Sequence, residues 1–340
     1  MNQEIRFGNI TIGETSPVVV IAEAACEHQG SLAAAKQLVD LAKGSGADIV
    51  KFQMHIPDQE MILDSIHFWA GSMDEVLDKV NLKPENHVEL IKYCKQVGIQ
   101  YLCTPFCAPA ADVLASFGVD AFKIGSGELT NIPMQRHVAR LGKPMIVSTG
   151  MATLDEIAET VTALKEEKAT FMLTHCVSEY PPRYEQINLG MIPRLKEMFG
   201  VMVGYSDHTS EIWSAVGAVV AGARVIEKHF TPDHALKGPD HHVSLEPREF
   251  RVMVDAIRKL ELALGAEKTV HPEEEQVRQW AHHSVVSVCD IPQGARITPD
   301  MVGVKRPGWG VPAKHLPEFC GRTARKNIPA HSLLKWEDVD

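Results

Sequence analysis

Through residue 264 the chain alternates between two textures, short β-branched runs that end in polar residues and longer amphipathic stretches. The apolar runs are Val18–Glu23, Asp48–Gln53, Ile99–Phe106, Ala121–Gly127, Pro144–Gly150, Thr170–Cys176, Val201–His208 and Arg224–Phe230. Each has the length and composition of a buried strand. Between them lie segments with helical spacing, the first being Leu32–Gly44, in which Leu38, Leu41 and Ala42 share a face. The others are Pro84–Val97, Pro109–Phe117, Pro133–Leu141, Leu154–Lys165, Leu189–Phe199, Glu211–Ala221 and Pro247–Leu264. Eight strand–helix units in series predict an α/β fold, a (β/α)8 TIM barrel over residues 1–264. An open doubly wound sheet is the alternative, but the first turn, Glu23–Gly30, has no GxGxxG.

The texture then changes. Residues 265–281 are polar and rich in Glu, with Pro272 breaking the pattern, and read as a linker. Residues 282–340 carry short strands with many Gly and Pro and contain an internal echo. Asp290-Ile291-Pro292 through Val302 resembles Asn327-Ile328-Pro329 through Val339, with Ile297 matching Leu334 and Asp300 matching Glu337. Two copies of one motif predict a small pseudo-symmetric β-rich module. Its size is near the lower limit for independent stability, so it is expected to dock on something.

Composition narrows the function classes. A chain of 340 residues with 45% hydrophobic and 23% charged positions can pack a large core and is not disordered. The richest apolar run, Ala215–Ala223, stops at Arg224, far short of the ~18 apolar residues of a membrane span. Met1–Ile10 shows no basic segment followed by an apolar one, so no secretory signal is expected. A net charge of −10 has the wrong sign for a general nucleic-acid binder. An anionic substrate would then need local lysines and a metal to hold it. The seven cysteines are odd in number and form no CxxC, which disfavours a disulfide framework or a thiolate zinc site and suits a reduced, cytoplasmic compartment.

In such a barrel the chemistry lies where strands finish. Strand one ends at Glu23, and strand two at Lys51 and Gln53, two residues apart and on one face. Strand three ends with Thr104. Strand four carries Lys123 and then Gly125-Ser126-Gly127-Glu128, and strand five ends Ser148-Thr149-Gly150. Strand six ends with His175, followed by Tyr180; strand seven ends Ser206-Asp207-His208; strand eight carries Glu227 and His229. Two fixed cations with short hydroxyls and glycines suit a phosphate or carboxylate. The plainer readings are a Lys123–Glu128 pair and simple turn chemistry at the serines. His208 and His229 end neighbouring strands, ~4.8 Å apart, so both can reach one divalent ion, Mn²⁺, Mg²⁺ or Zn²⁺. Asp207 either orients an imidazole or caps the next helix. Glu23 is either a general base or the partner of Lys51, and these readings are compatible.

At these residues the chain resembles the sialic acid synthases, which condense phosphoenolpyruvate with an N-acylated hexosamine. The resemblance runs through Ile21-Ala22-Glu23, Gly46-Ala47-Asp48, Lys51-Phe52-Gln53, Thr104-Pro105-Phe106, Lys123 to Glu128, Ser148 to Met151 and His175-Cys176. It continues through Gly204 to Thr209, Glu227 to Thr231, Gly238-Pro239-Asp240-His241 and, in the tail, Val304-Lys305-Arg306-Pro307-Gly308, which is similar to the family's SAF (antifreeze-like) module. The resemblance implies that Lys51, Thr104, Lys123, Ser126, Ser148 and Ser206 hold phosphoenolpyruvate. It implies that His208 and His229 bind the ion, Mn²⁺ or Mg²⁺, that polarises the open-chain aldehyde. Glu23 is then the candidate for the water's proton, and Gln53, Tyr180, Asp240 and Arg306 would lie on the sugar side. Arg306 would come from a module that caps the partner's barrel in a domain-swapped homodimer; its plain reading is a surface arginine in a turn. Departures fall on the sugar side. Glu27-His28-Gln29-Gly30 stands where Asn-His-x-Gly is usual, Ser178 where Asn is frequent, and Phe68-Trp69-Ala70-Gly71-Ser72 does not clearly keep a sugar-contacting Asn. A deoxy-aminohexose or a non-acylated hexose is therefore an alternative acceptor. Two other readings compete, a Schiff-base aldolase using Lys51 or Lys123 and a carbohydrate- or ice-binding protein with a degenerate barrel.

Overall fold

The computed structural model describes residues 4–68, 71–236, 238 and 240–340, so residues 69, 70 and 239 of the motifs quoted above lie outside it. The chain divides into two compact units, 1–265 and 266–340.

In the first unit eight parallel strands follow the predicted series. They are Val19–Ala25, Ile49–Met54, Gln100–Pro105, Phe122–Ile124, Met145–Ser148, Phe171–Cys176, Val203–Asp207 and Val225–His229, called here the first to eighth barrel strands. Hydrogen bonds join them in the order third, second, first, eighth, seventh, sixth, fifth, fourth. The third and fourth also pack side by side, which closes the ring into the predicted barrel. The major helices between the strands are Leu32–Gly44, Pro84–Val97, Ala108–Ser116, Ile132–Arg140, Leu154–Glu166, Met191–Phe199, Trp213–Val220 and Pro247–Ala263. No described helix is long and apolar enough to cross a membrane.

The two-residue period of the strands explains how one sequence builds both a core and a site. The outward set, including Val20, Val50, Phe52, Cys103, Phe122, Val147, Leu173, Tyr205 and Ile226, packs beneath the helices. The inward set at the lower end is Val19, Ile21, Ile49, Leu102, Ala121, Ile146, Met172, Met202 and Val225. One step further along the same face the inward positions turn polar: Glu23, Lys51, Thr104, Lys123, Ser148, Ser206 and Glu227. The fourth strand ends earlier than the predicted Ala121–Gly127. A 3-10 turn over Ser126–Glu128 takes the place of its last residues.

The pattern predicted no element before Val18, yet Ile5–Phe7 and Ile10–Ile12 form an antiparallel hairpin. Three-residue strands are too short to carry a visible period. Ile5, Phe7 and Ile12 join the lower inward cluster and are all but fully buried. The hairpin thus covers the lower mouth of the barrel.

The second unit begins with a further difference. Within the expected linker, Pro272–Ala281 is a helix with no buried residue. Pro272 occupies its first turn, where a missing N–H costs nothing, and Glu273, Glu274 and Glu275 favour that end of the dipole. A proline taken for a breaker is here a start. Beyond it, Ser284–Ser287 pairs antiparallel with Val302–Lys305 around a core that includes Val285, Ile291, Ile297, Phe319, Ile328 and Leu334. The internal echo is a structural two-fold with partners thirty-seven residues apart. Ile291 and Ile328 exchange backbone hydrogen bonds at 2.8 and 2.9 Å. Gln293 N donates to Asn327 Oδ1 at 2.8 Å, and its counterpart Ala330 N donates to Asp290 Oδ1 at 2.7 Å. Ile297 N donates to Arg322 O at 2.8 Å, as Leu334 N does to Val285 O at 3.0 Å.

Because the hairpin seals an apolar layer, Phe7→Ala is expected to destabilise the protein by about 3–5 kcal/mol. A lowered urea midpoint with an unchanged slope would show this.

Candidate active site

The upper mouth of the barrel gathers four buried charged side chains. Lys51 Nζ lies 2.8 Å from Glu23 Oε2 and 3.1 Å from Glu227 Oε1. Lys123 Nζ lies 3.8 Å from the same Glu227 oxygen, which also accepts from Ser206 Oγ at 2.7 Å. Lys123 is therefore set against Glu227, and no ion pair with Glu128 forms. Buried charges persist when paired in this way. Burial pulls Lys51 down from the usual lysine range to about 8, against the attraction of Glu227. Burial also works against the Glu227 carboxylate, but Lys123 and Lys51 outweigh it and hold the group well below the usual carboxylate range. Glu23 accepts from Gln53 Nε2 at 2.9 Å as well as pairing with Lys51.

Beside the charges stand the hydroxyls. Ser126 Oγ donates to Ser148 Oγ at 3.0 Å, and Gly150 N donates to Ser126 Oγ at 3.2 Å. Gly150 has to be small, because a Cβ there would stand 2.6 Å from Ser126 Oγ and would also meet Ser178. Thr104 Oγ1 is buried with no partner in the protein, as is Glu227 Oε2. Buried polar atoms are seldom left unpaired unless a ligand or water completes them.

The two histidines flank this cradle, with ring centroids 5.3 Å apart. His208 Nδ1 is 2.8 Å from the Val177 carbonyl, which fixes a proton there and leaves Nε2 free. Burial disfavours a charge on His208, but the Cys176 thiol at 3.8 Å and the carbonyl outweigh it and raise the pKa. The same contact pulls Cys176 down to about 7 in spite of its burial. Burial, then the charges of His208 and Lys51, keep His229 well below the ordinary imidazole range, hence neutral. Its Nδ1 is buried, without a hydrogen-bond partner, and 3.7 Å from Asp240 Oδ2. Tyr180 stacks on His208 at 4.0 Å and meets His229 edge-on at 5.7 Å. No group of three His, Cys, Asp or Glu among the described residues is arranged to hold an ion alone. A carbonyl-oriented imidazole beside a neutral one with an unpartnered nitrogen nevertheless fits a divalent ion whose remaining ligands come from substrate and water.

The structure thus brings together Glu23, Lys51, Gln53, Thr104, Lys123, Ser126, Ser148, Tyr180, Ser206, His208, His229 and Asp240 at one mouth. Arg306 belongs to the other unit, where it donates to the Ala281 carbonyl at 2.9 Å and lies over the Trp280 ring. Two expectations shift. Asp207 orients no imidazole: it faces outward, pairs with Lys228 at 2.8 Å and accepts from Thr209 and Ser214. His175 also faces outward, onto the Ile187 carbonyl at 2.7 Å, while Cys176 is the inward residue of that strand. The residue reading missed Glu227 as the hub of both lysines. The signal was available, since Glu227 and His229 are two apart on one strand and must share a face. In the loops of the same mouth, Glu27 is buried 2.6 Å from His241 Nε2, whose Nδ1 meets Thr231 Oγ1 at 2.7 Å.

The profile of the NeuB family matches residues 38–269, and that of the SAF domain residues 282–340. The N,N'-diacetyllegionaminic acid synthase of Campylobacter jejuni is 37% identical over 93% of this chain and 98% of its own length. The N-acetylneuraminate-9-phosphate synthase of Homo sapiens is 34% identical over 97% of this chain and 94% of its own. The N-acetylneuraminic acid (sialic acid) synthetase of Leptospira borgpetersenii, solved with citrate, superposes with a TM-score of 0.74 at 33% identity, covering 82% of this chain and 95% of that one. With the profile over residues 38–269, the tail module and full-length relatives all in agreement, the chain belongs to the NeuB family.

Proposed function

We propose that the protein is a nonulosonic acid synthase. It condenses phosphoenolpyruvate with the open-chain aldehyde of an N-acylated hexosamine and water, giving a nine-carbon 2-keto-3-deoxy acid and inorganic phosphate by C–O cleavage. The observation that carries this reading is the cradle of Lys51, Lys123, Thr104, Ser126, Ser148 and Ser206 beside the His208–His229 pair. The lysines and hydroxyls would hold the phosphate and carboxylate. Glu227 keeps both ammonium groups in place, so little ordering remains when the anion enters. Glu23, charged and held by Lys51 and Gln53, would take the proton of the water that adds at C2. Tyr180 and Asp240 would face the sugar. His208 and His229 would hold a divalent ion, Mn²⁺ or Mg²⁺, which would supply Lewis-acid chemistry at the aldehyde. Arg306 would cap the partner's barrel in a swapped homodimer. Another hexose acceptor is the second reading, favoured by the Glu27–His241 pair on the sugar side.

The direct experiment mixes the protein with phosphoenolpyruvate, Mn²⁺ and N-acetylmannosamine, follows phosphate release and seeks the keto acid by mass. The expected result is turnover that chelator abolishes and that His208→Ala lacks. Phosphoenolpyruvate binding without product would move the acceptor to another hexose, and neither binding nor product would overturn the proposal.

Lys51 sets the pH dependence. With its pKa lowered to about 8, it carries its charge below that pH and loses it above. The KM for phosphoenolpyruvate should therefore rise on the alkaline side, and Lys51→Arg should carry that limb to higher pH.

Subunit mixing tests the cap. His208→Ala and Arg306→Ala proteins, each inactive alone, should regain part of the wild-type rate when refolded together, because one mixed site is intact. No recovery would place Arg306 and its barrel in the same chain or remove the cap altogether.

A further inference from the structure

A chain of polar side chains leads outward from Glu23. Gln53 Nε2 donates to Glu23 Oε1 at 2.9 Å, and Gln53 Oε1 lies 3.2 Å from His55 Nε2. His55 Nδ1 lies 2.9 and 3.1 Å from the two oxygens of Glu60, which the short helix Pro57–Glu60 presents. The His55 ring is stacked on Phe106 with centroids 4.1 Å apart, and Asn81 donates to the His55 carbonyl at 2.7 Å. The His55 and Glu60 side chains are only 5% and 8% exposed, so water does not substitute for these partners.

Donor and acceptor rules fix the protons along this chain. A carboxylate accepts only. Glu23, paired with Lys51, requires the NH₂ side of the Gln53 amide. The amide oxygen then faces His55 Nε2, which must carry a hydrogen. Glu60, as a carboxylate, faces Nδ1, which must then carry one too. A ring with both nitrogens protonated is an imidazolium, and Glu60 supplies its counter-charge. With Glu60 ionised, a neutral His55 would leave one contact acceptor-to-acceptor. The Gln53 amide would then turn over and set its carbonyl against Glu23.

The other groups nearby do not take over the role of Glu60. Cys26 donates to the same Gln53 oxygen, and burial pushes its thiol up to about 12. His28 and His87 are each lowered by burial to about 4 and stay neutral. Glu128, pushed up by burial to about 7, and Cys107 feel the Glu60 charge from farther off.

We propose that His55, kept as an imidazolium by Glu60, is a positioning residue that locks the Gln53 amide and so holds Glu23 charged and aimed into the barrel mouth. The role rests on the reading of Glu23 as the group that takes the water's proton; the protonation of His55 does not. The test uses full-length protein carrying ¹⁵N-labelled histidine. The His55 ring signals are identified by their loss in His55→Gln and are read alongside steady-state phosphate release. Wild type should show both ring nitrogens protonated at neutral pH, and Glu60→Gln only one. Glu60→Gln should lower kcat about tenfold or more with little change in KM for phosphoenolpyruvate, and should move the acidic limb of kcat upward. Glu60→Asp should restore most of the rate, and matching thermal midpoints would show that the variants fold. A singly protonated His55 in the wild type, or an unchanged kcat in Glu60→Gln, would overturn the inference. Absence of turnover in the wild type would overturn the functional reading alone, because the ring signals still decide the state of His55.

Discussion

Four charges with almost no water around them dictate the top of this barrel. Lys51, Lys123, Glu23 and Glu227 are each no more than 5% exposed. Single buried charges of this kind would be costly, and the mouth is tolerable because the two signs balance and meet through Glu227. That balance also leaves the ammonium groups stripped of water and fixed in direction. The apolar layer below, closed by the hairpin of Ile5, Phe7 and Ile12, keeps water from reaching the lysines from underneath.

The parts of this arrangement that were legible in the sequence are those governed by a period. Eight apolar runs gave eight strands, and polar residues at their ends marked the mouth. Side-chain direction followed from counting by two, which places Lys51 with Gln53 and Glu227 with His229. That count was not applied to His175 or to Asp207, for which orienting an imidazole was one of two readings. Both belong to the outward register and serve packing, Asp207 as the buried partner of Lys228. Elements without a period escaped: the three-residue hairpin strands, and a helix whose opening proline reads equally well as an end.

The tail was legible for a different reason. Its echo survives because the paired positions bond to each other across the pseudo-two-fold. Asp290 and Asn327 each accept from the backbone of the opposite copy, and Ile291 and Ile328 each close the other's ladder. A change in one copy has a direct cost in the other, so the two halves hold their short polar and branched residues in step. The pairing also supplies cross-connections that a module of this size needs to fold around so small a core.

The two halves of the site differ in how much freedom the fold leaves them. The cluster of lysines, carboxylates and hydroxyls is built from inward positions of the strands and their immediate ends. Strand pairing sets Glu23 beside Lys51 and beside His229, and Cys176 beside Ser206. A substitution there disturbs charge balance and barrel packing together. The rest of the mouth is drawn from loops, with Glu27 after the first strand, Tyr180 after the sixth, and Asp240 and His241 after the eighth. Here the constraint is local. Burial and the nearby Asp240 push the Glu27 carboxyl up to about 8, so at neutral pH it is mostly protonated. It can then meet neutral His241 without an uncompensated charge. Change at such a loop pair can therefore proceed while the cluster of lysines and hydroxyls stays as it is.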